Sequence, residues 1–299
     1  MGKILEVDLT TRKIIETPTE EIASLRQVIG GKNLGLEIIW SDLKEWEDRG
    51  QSAKEIDPFG PENTVVFATG PGTGIVGFPS SGRYHVMATR SPLTGGIGSA
   101  NSGGDWGPFL KFAGYDAVVI RGKSTRPVVL VVTEQEQKLI DGGDVWHKNV
   151  FDTIHTLQSQ YGDRSRVACI GPAGENQVLF ANIMNEHHRA AGRTGLGAVL
   201  GSKKLKAIVV AGTKKVEVAD REAFKEVATG CLQKLKKDNV TGEGLPTFGT
   251  GVLVNVINEQ GALPTWNFQD AQFPYAESIS AETMNKSGIF KEKGFGWVS

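Results

Sequence analysis

The chain has 299 residues, of which 39% are hydrophobic and 22% charged, a composition typical of a globular protein with one large or two smaller domains. Its formal net charge of −1 gives no electrostatic reason to expect nucleic acid or an acidic membrane as a partner. The sequence shows no signal peptide and no apolar run of about 18 residues, so we expect a cytoplasmic protein that does not enter a membrane.

Strands and helices are predicted to alternate up to residue 213, and the rest of the chain is predicted to be helical. Period-2 alternation indicates strands, and apolar stripes with capping residues indicate helices. The predicted elements are a hairpin (3–9, 13–16), helices (19–29, capped near Thr19, and 33–40), a loop (41–63), strands (64–74 and 83–91), a helix (103–116), strands (117–123 and 127–133), a helix (149–162), a strand (165–176), a helix (195–205), a strand (206–213) and helices (220–238 and 250–260). We therefore expect two domains, 1–213 and 214–299.

Glycine is unusually frequent, since the chain contains 38, about twice the usual share. Glycine is used where the backbone takes a positive φ or lets another group approach closely. Because the glycines cluster beside apolar runs, they predict a ligand site lined by backbone. The clusters lie at 70–77, 95–107, 114–122, 171–174 and 192–201.

The order of features in the first part of the chain occurs twice. In each copy a strand ends in Gly-Pro, an Arg-Gly turn follows, and a glycine-led helix leads to an apolar strand. The Gly-Pro strands end at 67–71 and 168–172, and the Arg-Gly turns are 81–84 and 191–193. The repeat predicts a duplicated unit with a pseudo-twofold site, suited to a ligand that is itself double.

Residues 184–197, MNEHHRAAGRTGLG, combine histidines, arginines and glycines. Adjacent histidines point in different directions, whereas metal-binding pairs on a helix are usually spaced i, i+4, so a histidine metal site is disfavoured. Arg189 and Arg193, beside a helix predicted to start near Thr194, suit an anion cradle. Surface salt bridges remain an equally good interpretation of both arginines.

A second glycine-rich stretch, 91–107, places Asn101-Ser102-Gly103-Gly104 before a predicted helix, where backbone amides could face an anion. It matches neither the phosphate-binding P-loop nor the dinucleotide-binding G-x-G-x-x-G pattern. The acids Asp105, Asp116 and Glu175 are possible proton donors, although caps and salt bridges are the favoured interpretation.

Four long stretches occur in order along the chain. They are GRYHVMATRSPLTGGIGSANSGG, LKFAGYDAVVIRGK, IGPAGENQVLFANIMNEHHRAAGRTGLGAVLGSKKLKAIVV and GLPTFGTGVLVNVINEQGALPTWNF. Together they resemble the aldehyde ferredoxin oxidoreductase family, tungsten-pterin enzymes found mostly in anaerobes. The resemblance extends from the first residues to about residue 285.

The resemblance implies an α+β fold, in which two β-sheets related by a pseudo-twofold axis are followed by the beginning of an all-α domain. It implies a bis-pterin cofactor carrying tungsten or molybdenum, which lies on the two sheets. The implied activity is oxidation of aldehydes to carboxylic acids, with electrons passed through a [4Fe–4S] cluster to ferredoxin. The implied partners are ferredoxin, the aldehyde, and either a second copy of the chain or a separate helical subunit.

The family motifs also suggest which residues bind the cofactor. Arg83 is expected to reach between pterin and cluster, and the backbone carbonyls of Asn101 and Ala190 are expected to bind a bridging Mg²⁺, which prefers oxygen ligands. Tungsten would take its ligands from pterin sulfurs, so His187 and His188 have supporting roles. The full cofactor-binding set is Arg83, Asn101, Ser102, Gly103, Gly104, Arg189, Ala190, Gly192 and Arg193.

The chain departs from the family at the cluster motif. The family places C-x-x-C-x-x-x-C near the point where this sequence ends, but no cysteine follows Cys231. Because Fe–S clusters need thiolates, the chain alone is not expected to bind the cluster or to be active, and no catalytic residue is assigned. A truncation, a frameshifted product and one piece of a split enzyme all stay open.

Two other functions also stay open at this stage. A truncated, non-catalytic domain that binds pterin or a partner subunit would explain the missing cysteines. The glycine-rich loops by themselves would also fit a nucleotide- or phosphate-binding protein of another class.

Overall fold

The computed structural model describes residues 2–22, 27–77 and 81–288, which form two compact units. The first unit ends at Glu217 and the second begins at Val218. Two mixed sheets of six strands each make up most of the first unit, and the second is mainly helical. The predicted α+β class is confirmed.

The two sheets have the same strand order. Sheet A contains β1 (Lys3–Asp8), β2 (Ile14–Pro18), β3 (Val65–Thr69), β4 (Tyr84–Ala88), β5 (Gly98–Ser102) and β6 (Tyr115–Arg121), in the order β2-β1-β6-β3-β4-β5. Sheet B contains β7 (Val128–Thr133), β8 (Gln137–Asp141), β9 (Arg166–Cys169), β10 (Ile183–Asn185), β11 (Arg189–Ala191) and β12 (Leu205–Ala211), in the order β8-β7-β12-β9-β10-β11. Each strand of sheet A therefore has a counterpart in sheet B, as the sequence repeat predicted.

The main apolar core lies between the two sheets. Phe67 and Val118 of sheet A and Leu130 and Ile208 of sheet B belong to this core and are fully buried. Trp106 also lies in it and donates a hydrogen bond from Nε1 to the carbonyl of Ile208, at 3.1 Å. Since burial of apolar surface contributes roughly 25 cal/mol per Å², this shared core holds the two sheets together as a sandwich.

Two helices, α1 (Lys32–Asp48) and α3 (Val150–Tyr161), cover the outer faces of the sheets. Two others, α2 (Trp106–Phe112) and α5 (Leu196–Ser202), belong to the shared core and contact strands of both sheets. Residues of α1 pack on the outer face of sheet A, and α3 contacts β9 on the outer face of sheet B. The side chain of Asn149 caps α3 by accepting a hydrogen bond from the backbone N–H of Asp152, at 2.9 Å, and Gly162 ends the helix. The helices of this unit are α1 (Lys32–Asp48), α2 (Trp106–Phe112), α3 (Val150–Tyr161), α4 (Pro172–Glu175) and α5 (Leu196–Ser202).

The correspondence between the halves extends to an irregularity in the strand pairing. The parallel pairs β1–β6 and β7–β12 each skip one residue near their start, and the skipped residues are Asp116 in β6 and Lys206 in β12. A bulge of this kind leaves one residue without a partner across the ladder. Asp116 and Lys206 therefore occupy equivalent positions in the two halves.

Each skipped residue forms a buried ion pair, but with opposite sign. Asp116 binds the Lys111 ammonium and accepts a hydrogen bond from Thr19 Oγ1 at 2.8 Å. Burial opposes ionisation, yet Lys111 and these hydrogen bonds hold the pKa of Asp116 below its usual value. Lys206 Nζ lies 2.5 Å from Glu175 Oε1, and both side chains are buried. Removing one partner of such a pair costs about 3–5 kcal/mol.

Some element boundaries differ from the predicted ones. The segment 41–63 was predicted to be a loop, but α1 continues through Asp48, and a short 3-10 turn follows at Ala53–Glu55. The prediction was wrong because most polar residues of 41–48 lie on the solvent-exposed side of an amphipathic helix, while Leu43 packs on the core and Asp42 pairs with Arg121 of sheet A. In the predicted helix 19–29, Thr19–Glu21 form a 3-10 turn, and residues 23–26 lie outside the described residues.

The second unit is built from short helices around few buried side chains. Its helices are α6 (Arg221–Lys237), α7 (Leu245–Phe248), α8 (Leu253–Glu259) and α9 (Ala281–Lys286). Asp220 caps α6 by accepting a hydrogen bond from the backbone N–H of Ala223 at 2.9 Å. The helix agrees with the one predicted over 220–238. An isolated β-bridge joins Thr265 and Asp270.

A buried lysine joins α5 to two loops of the first half. The ammonium of Lys203 donates to the carbonyls of Gly122 at 2.7 Å, Pro61 at 3.2 Å and Gly60 at 3.4 Å. The side chain has no exposed surface, and burial lowers the pKa of Lys203 to about 7. The carbonyls satisfy its donors without supplying a countercharge at hydrogen-bonding distance.

We predict that Lys203→Met abolishes a pH-dependent part of the stability. Folding lowers the lysine pKa from 10.5 to about 7, so between these values the folded protein binds fewer protons than the unfolded chain, and wild-type stability rises with pH. The difference in the free energy of unfolding, wild type minus Lys203→Met, should rise by up to about 1.4 kcal/mol per pH unit over this window. Urea unfolding at several pH values measures it, with the more accessible Lys204→Met as control, and a pH-independent difference would contradict the prediction.

Candidate functional site

Two edge strands, one from each sheet, lie side by side in the first unit. They are β5 and β11, the last strands of the two equivalent orders. β5 carries Asn101 and Ser102, and β11 carries Arg189 and Ala190. The structure thus brings together residues that lie about ninety positions apart in sequence, and we call this region the cradle: β5, β11 and the glycine turns that follow them.

The strand pairing makes Asn101 and Ala190 equivalent. We start at the residue after the bulge and step from each residue to its partner on the next strand. In sheet A these steps lead through β3 and β4 to Asn101. The same steps in sheet B lead through β9 and β10 to Ala190. The residues that follow correspond in the same way, so Gly103 and Gly192 are equivalent. The two residues expected to offer backbone carbonyls to Mg²⁺ therefore occupy pseudo-twofold positions.

The equivalent glycines Gly103 and Gly192 have free space beside them. A Cβ added to Gly103 would meet nothing within 4 Å, and the nearest atoms to one added to Gly192 would be those of the Asn182 side chain, at 3.7 Å. Neither glycine has a positive φ. Both turns can therefore admit a group that approaches their backbone closely.

The neighbouring glycines Gly104 and Gly195 serve internal packing instead. Gly104 has a φ of 86°, and a Cβ there would lie 1.6 Å from the carboxylate of Glu186. Gly195 has a φ of 70°, and its Cβ would lie 1.9 Å from the carbonyl oxygen of Leu179. Within one glycine-rich turn, then, adjacent positions have different reasons for lacking a side chain.

The arginines of the cradle are not related by the pseudo-twofold axis. Arg83 directly precedes β4, and its guanidinium donates a hydrogen bond to Oδ1 of Asn101. Its counterpart before β10 is Asn182, whereas Arg193 follows β11 at the position equivalent to Gly104. The two Arg-Gly turns that the sequence repeat paired with each other are thus not equivalent, and that alignment was wrong in detail.

Arg189 and Arg193 differ in their surroundings. Arg193 is exposed, and Arg189 is half-buried. Within the part of the chain that the structure describes, the buried Nε of Arg189 has no hydrogen-bond partner. A buried guanidinium N–H without an acceptor costs about 1–3 kcal/mol, and this Nε is shielded from solvent.

Asn185 lies behind the cradle at the end of β10 and is fully buried. Its Oδ1 accepts hydrogen bonds from Tyr84 Oη at 2.9 Å and Ser102 Oγ at 2.8 Å. Its Nδ2 donates to the carbonyl of Gly103 at 3.0 Å and to Glu186 Oε2 at 2.8 Å. One amide of the second half therefore joins several groups of the first half. Sequence reasoning missed Asn185 because its partners in the first half lie far away along the chain.

The side chain of Glu186 lies beside the start of α2. The sequence suggested that backbone amides at this position could face an anion. The Glu186 carboxylate faces the backbone N–H groups of Asp105 and Trp106, which favour the charged form. Burial outweighs them and raises the pKa of Glu186, and its Oε1 has no hydrogen-bond partner among the described residues. The anion at this helix start is a side chain of the protein.

In the described part of the chain, the double histidine belongs to no group of three or more possible metal ligands. The ring of His187 stacks on Phe151 with 5.1 Å between centroids, and both Glu186 and His187 have positive φ. Among residues 2–22, 27–77 and 81–288, no cluster of three or more His, Cys, Asp or Glu side chains could hold a metal ion. Cys169 is buried, which raises the pKa of its thiol to about 12, and Cys231 is exposed.

The acids considered as proton donors have structural partners. Asp105 lies 3.4 Å from Arg166, whose guanidinium also stacks over Phe109. Asp116 and Glu175 form the buried ion pairs of the two bulges. The interpretation of these acids as salt-bridge partners is confirmed.

Comparison with known proteins agrees with this architecture. Residues 4–212 match the family model described as aldehyde ferredoxin oxidoreductase, N-terminal domain, and residues 226–296 match the model for domains 2 and 3. The chain belongs to the aldehyde ferredoxin oxidoreductase family.

Family members with curated names are closely similar to this chain. Tungsten-containing aldehyde ferredoxin oxidoreductases of Pyrococcus abyssi and Pyrococcus horikoshii are 49% and 48% identical over 294 residues, which is 98% of this chain. These residues are 46% of each relative, so the chain spans about half the length of the curated relatives that it matches.

A solved structure shares the fold. It is the active-site complex BamBC of benzoyl coenzyme A reductase with bound 1,5-dienoyl-CoA, which superposes with a TM-score of 0.76 at 29% identity. The match covers 95% of this chain and 44% of that one. Within the described part of this family member, no helix is both long enough and apolar enough to cross a bilayer.

We predict that alanine substitutions separate the two kinds of glycine. Gly104→Ala should lower the free energy of unfolding by at least about 1–3 kcal/mol, because its φ is strained for alanine and its Cβ would displace Glu186. Gly103→Ala, the matched control, should change stability by less than about 1 kcal/mol. Urea unfolding of both variants measures this, and equal losses would contradict the distinction.

Proposed function

We propose that this chain supplies the pterin-binding surface of a tungsten-dependent oxidoreductase that converts aldehydes to carboxylic acids. The observation that carries the proposal is the cradle, in which neighbouring edge strands place Asn101 and Ala190 at equivalent positions, each two residues before an open glycine. A cofactor of two similar pterins would meet the same backbone in each half. The names of the relatives support tungsten as its metal.

The residues present fit such a group. Pterin phosphates are anionic, and guanidinium groups bind them through paired N–H donors. Arg83, Arg189 and Arg193 supply such donors, and the Nε of Arg189 lacks an acceptor within the chain as described. Ser102 and Gly104 would hold the turn, while the carbonyls of Asn101 and Ala190 offer the oxygen ligands that Mg²⁺ prefers.

The bound tungsten-pterin group would supply the two-electron oxidation of the aldehyde. The residues of this chain bind and orient the cofactor: the arginines fix its charged groups, and the open glycines let it approach the backbone. We propose ferredoxin as the electron acceptor, as in the names of the relatives. The fold by itself does not identify the substrate, because the benzoyl coenzyme A reductase complex shares it. The proposal of an aldehyde substrate therefore depends on the sequence similarity to the named aldehyde enzymes.

A [4Fe–4S] cluster does not fit the described residues. Such clusters are held by cysteine thiolates, and the buried Cys169 and the exposed Cys231 are the only cysteines in the sequence. The second candidate function is a pterin- or partner-binding domain. The two candidates differ in electron transfer, whereas the cradle has the same role in both.

We also propose that the pterin-binding domain ends near residue 213. The family match to the N-terminal domain ends at residue 212, and the first compact unit ends at Glu217. The remaining chain, 214–299, would begin the helical domain.

Production in an anaerobic host supplied with tungstate tests the proposal, with the chain produced alone and together with the remaining half of a named relative. Elemental analysis and pterin fluorescence after denaturation should show tungsten and pterin together. Protein that contains neither, in both forms, would refute the assignment.

We predict that Arg83→Ala and Arg189→Ala lower cofactor content. Each removes charge-assisted hydrogen bonds worth about 1.5–3 kcal/mol apiece, so occupancy should fall by roughly tenfold or more at limiting cofactor. The matched control is Arg164→Ala, an exposed arginine in the turn before β9. Unchanged tungsten and pterin content in both cradle variants would contradict the prediction.

A further inference from the structure

The glycine turn after β5 is held from behind by two side chains that belong to the second half. Asn185 ends β10, and Glu186 begins the hairpin loop that leads to β11. We propose that Asn185 and Glu186 are positioning residues, which fix the Ser102–Gly104 turn so that both sides of the cradle are set by one hairpin. The inference rests on the proposed function of the cradle as a cofactor site, and neither residue is proposed to touch the cofactor.

Asn185 determines the position of the turn through its hydrogen bonds. A side-chain amide has two donor hydrogens and an acceptor oxygen with two lone pairs, and the bonds to Tyr84, Ser102, Gly103 and Glu186 use all of them. Since the amide is fully buried, any displacement of the turn leaves polar groups without partners and without water. The carbonyl of Gly103 is thereby fixed, and the space beside this glycine stays open.

Glu186 determines the path of the chain after the turn. Its Oε2 occupies the space that a side chain at position 104 would fill, and it faces the backbone N–H groups that begin α2. Gly104 takes its φ of 86° against this carboxylate. The carboxylate therefore lies between the end of the turn and the start of α2.

The same hairpin carries Arg189 and Ala190 only a few residues further on. Residues 186 and 187 have positive φ values of 48° and 63°, so the loop is sharply turned. One side of this hairpin fixes the turn of the first half, and the other side forms the cradle of the second half. A change in the hairpin should consequently affect the ligand contacts of both halves.

Hydrogen exchange of the full chain tests the positioning role without any cofactor. The variants are Asn185→Ala, Glu186→Ala and Glu186→Gln, with Tyr84→Phe as a milder variant that removes one hydrogen bond to Asn185. We expect amide exchange at residues 103–106 to rise by at least about tenfold in the alanine variants, the effect of losing a buried hydrogen bond. Glu186→Gln, which keeps the shape and an acceptor oxygen, should restore most of the protection.

The matched control is Ser165→Ala, which removes the hydrogen bond that the buried Ser165 donates to the Gly162 carbonyl, outside the cradle. It should lower global stability without a selective rise at 103–106. Unchanged exchange in both alanine variants, or a rise no larger there than elsewhere in the chain, would overturn the positioning role. So would a glutamine variant as unprotected as the alanine variant.

Cofactor content supplies a second readout in protein produced with tungstate. If wild type contains pterin, the alanine variants should contain at least about fivefold less, and Glu186→Gln should recover most of it. Normal content in the alanine variants would overturn the inference. A wild type without pterin would instead refute the proposed function, and hydrogen exchange would then decide the positioning role by itself.

Discussion

The apolar core shared by the two sheets is the constraint on which the cradle depends. Each sheet turns one face toward the other, and α2 and α5 pack in the same core, in which Phe67 and Val118 share a cluster with Leu130 and Ile208. Neither half could bury that face alone, so the halves must stack, and their equivalent strand orders bring the edge strands β5 and β11 together. The site is therefore a consequence of packing: its two sides meet because the cores behind them are one core.

The duplication preserves backbone and lets side chains differ. Equivalent positions hold Asn101 and Ala190, whose shared feature is a backbone carbonyl, and the bulges hold Asp116 and Lys206, which form ion pairs of opposite polarity. A contact made by main chain survives divergence of this kind because it does not depend on residue type. Side-chain contacts do not, and Arg83 accordingly has no arginine counterpart.

Much of the fold could be predicted from the sequence, because the central strands are apolar runs and the hairpin β1–β2 alternates with period 2. The edge strands of the cradle, β5 and β11, could not. β5 lies within a glycine-rich stretch, and β11 has three residues, so neither carries a periodic signal. The roles of Asn185 and Glu186 also depend on pairing across the two halves: Asn185 binds Ser102, 83 positions away. Local pattern cannot reveal such partners, whereas the repeat and the family motifs did indicate where the cradle lies.

Electrostatics assigns different tasks to the two kinds of polar group around the cradle. The start of α2, which the sequence suggested as an anion site, already faces the carboxylate of Glu186, and a second anion there would meet that negative charge. Burial favours the neutral form of Glu186, which weakens the repulsion between its carboxylate and a second anion. The side chain still fills the space beside Gly104. If the cradle binds an anionic group, as we propose, the positive charge would then come from its arginines, and the buried Nε of Arg189 has no partner among the described residues. The glycine turn between them contributes shape and backbone oxygen atoms, and the protein's own carboxylate keeps that shape.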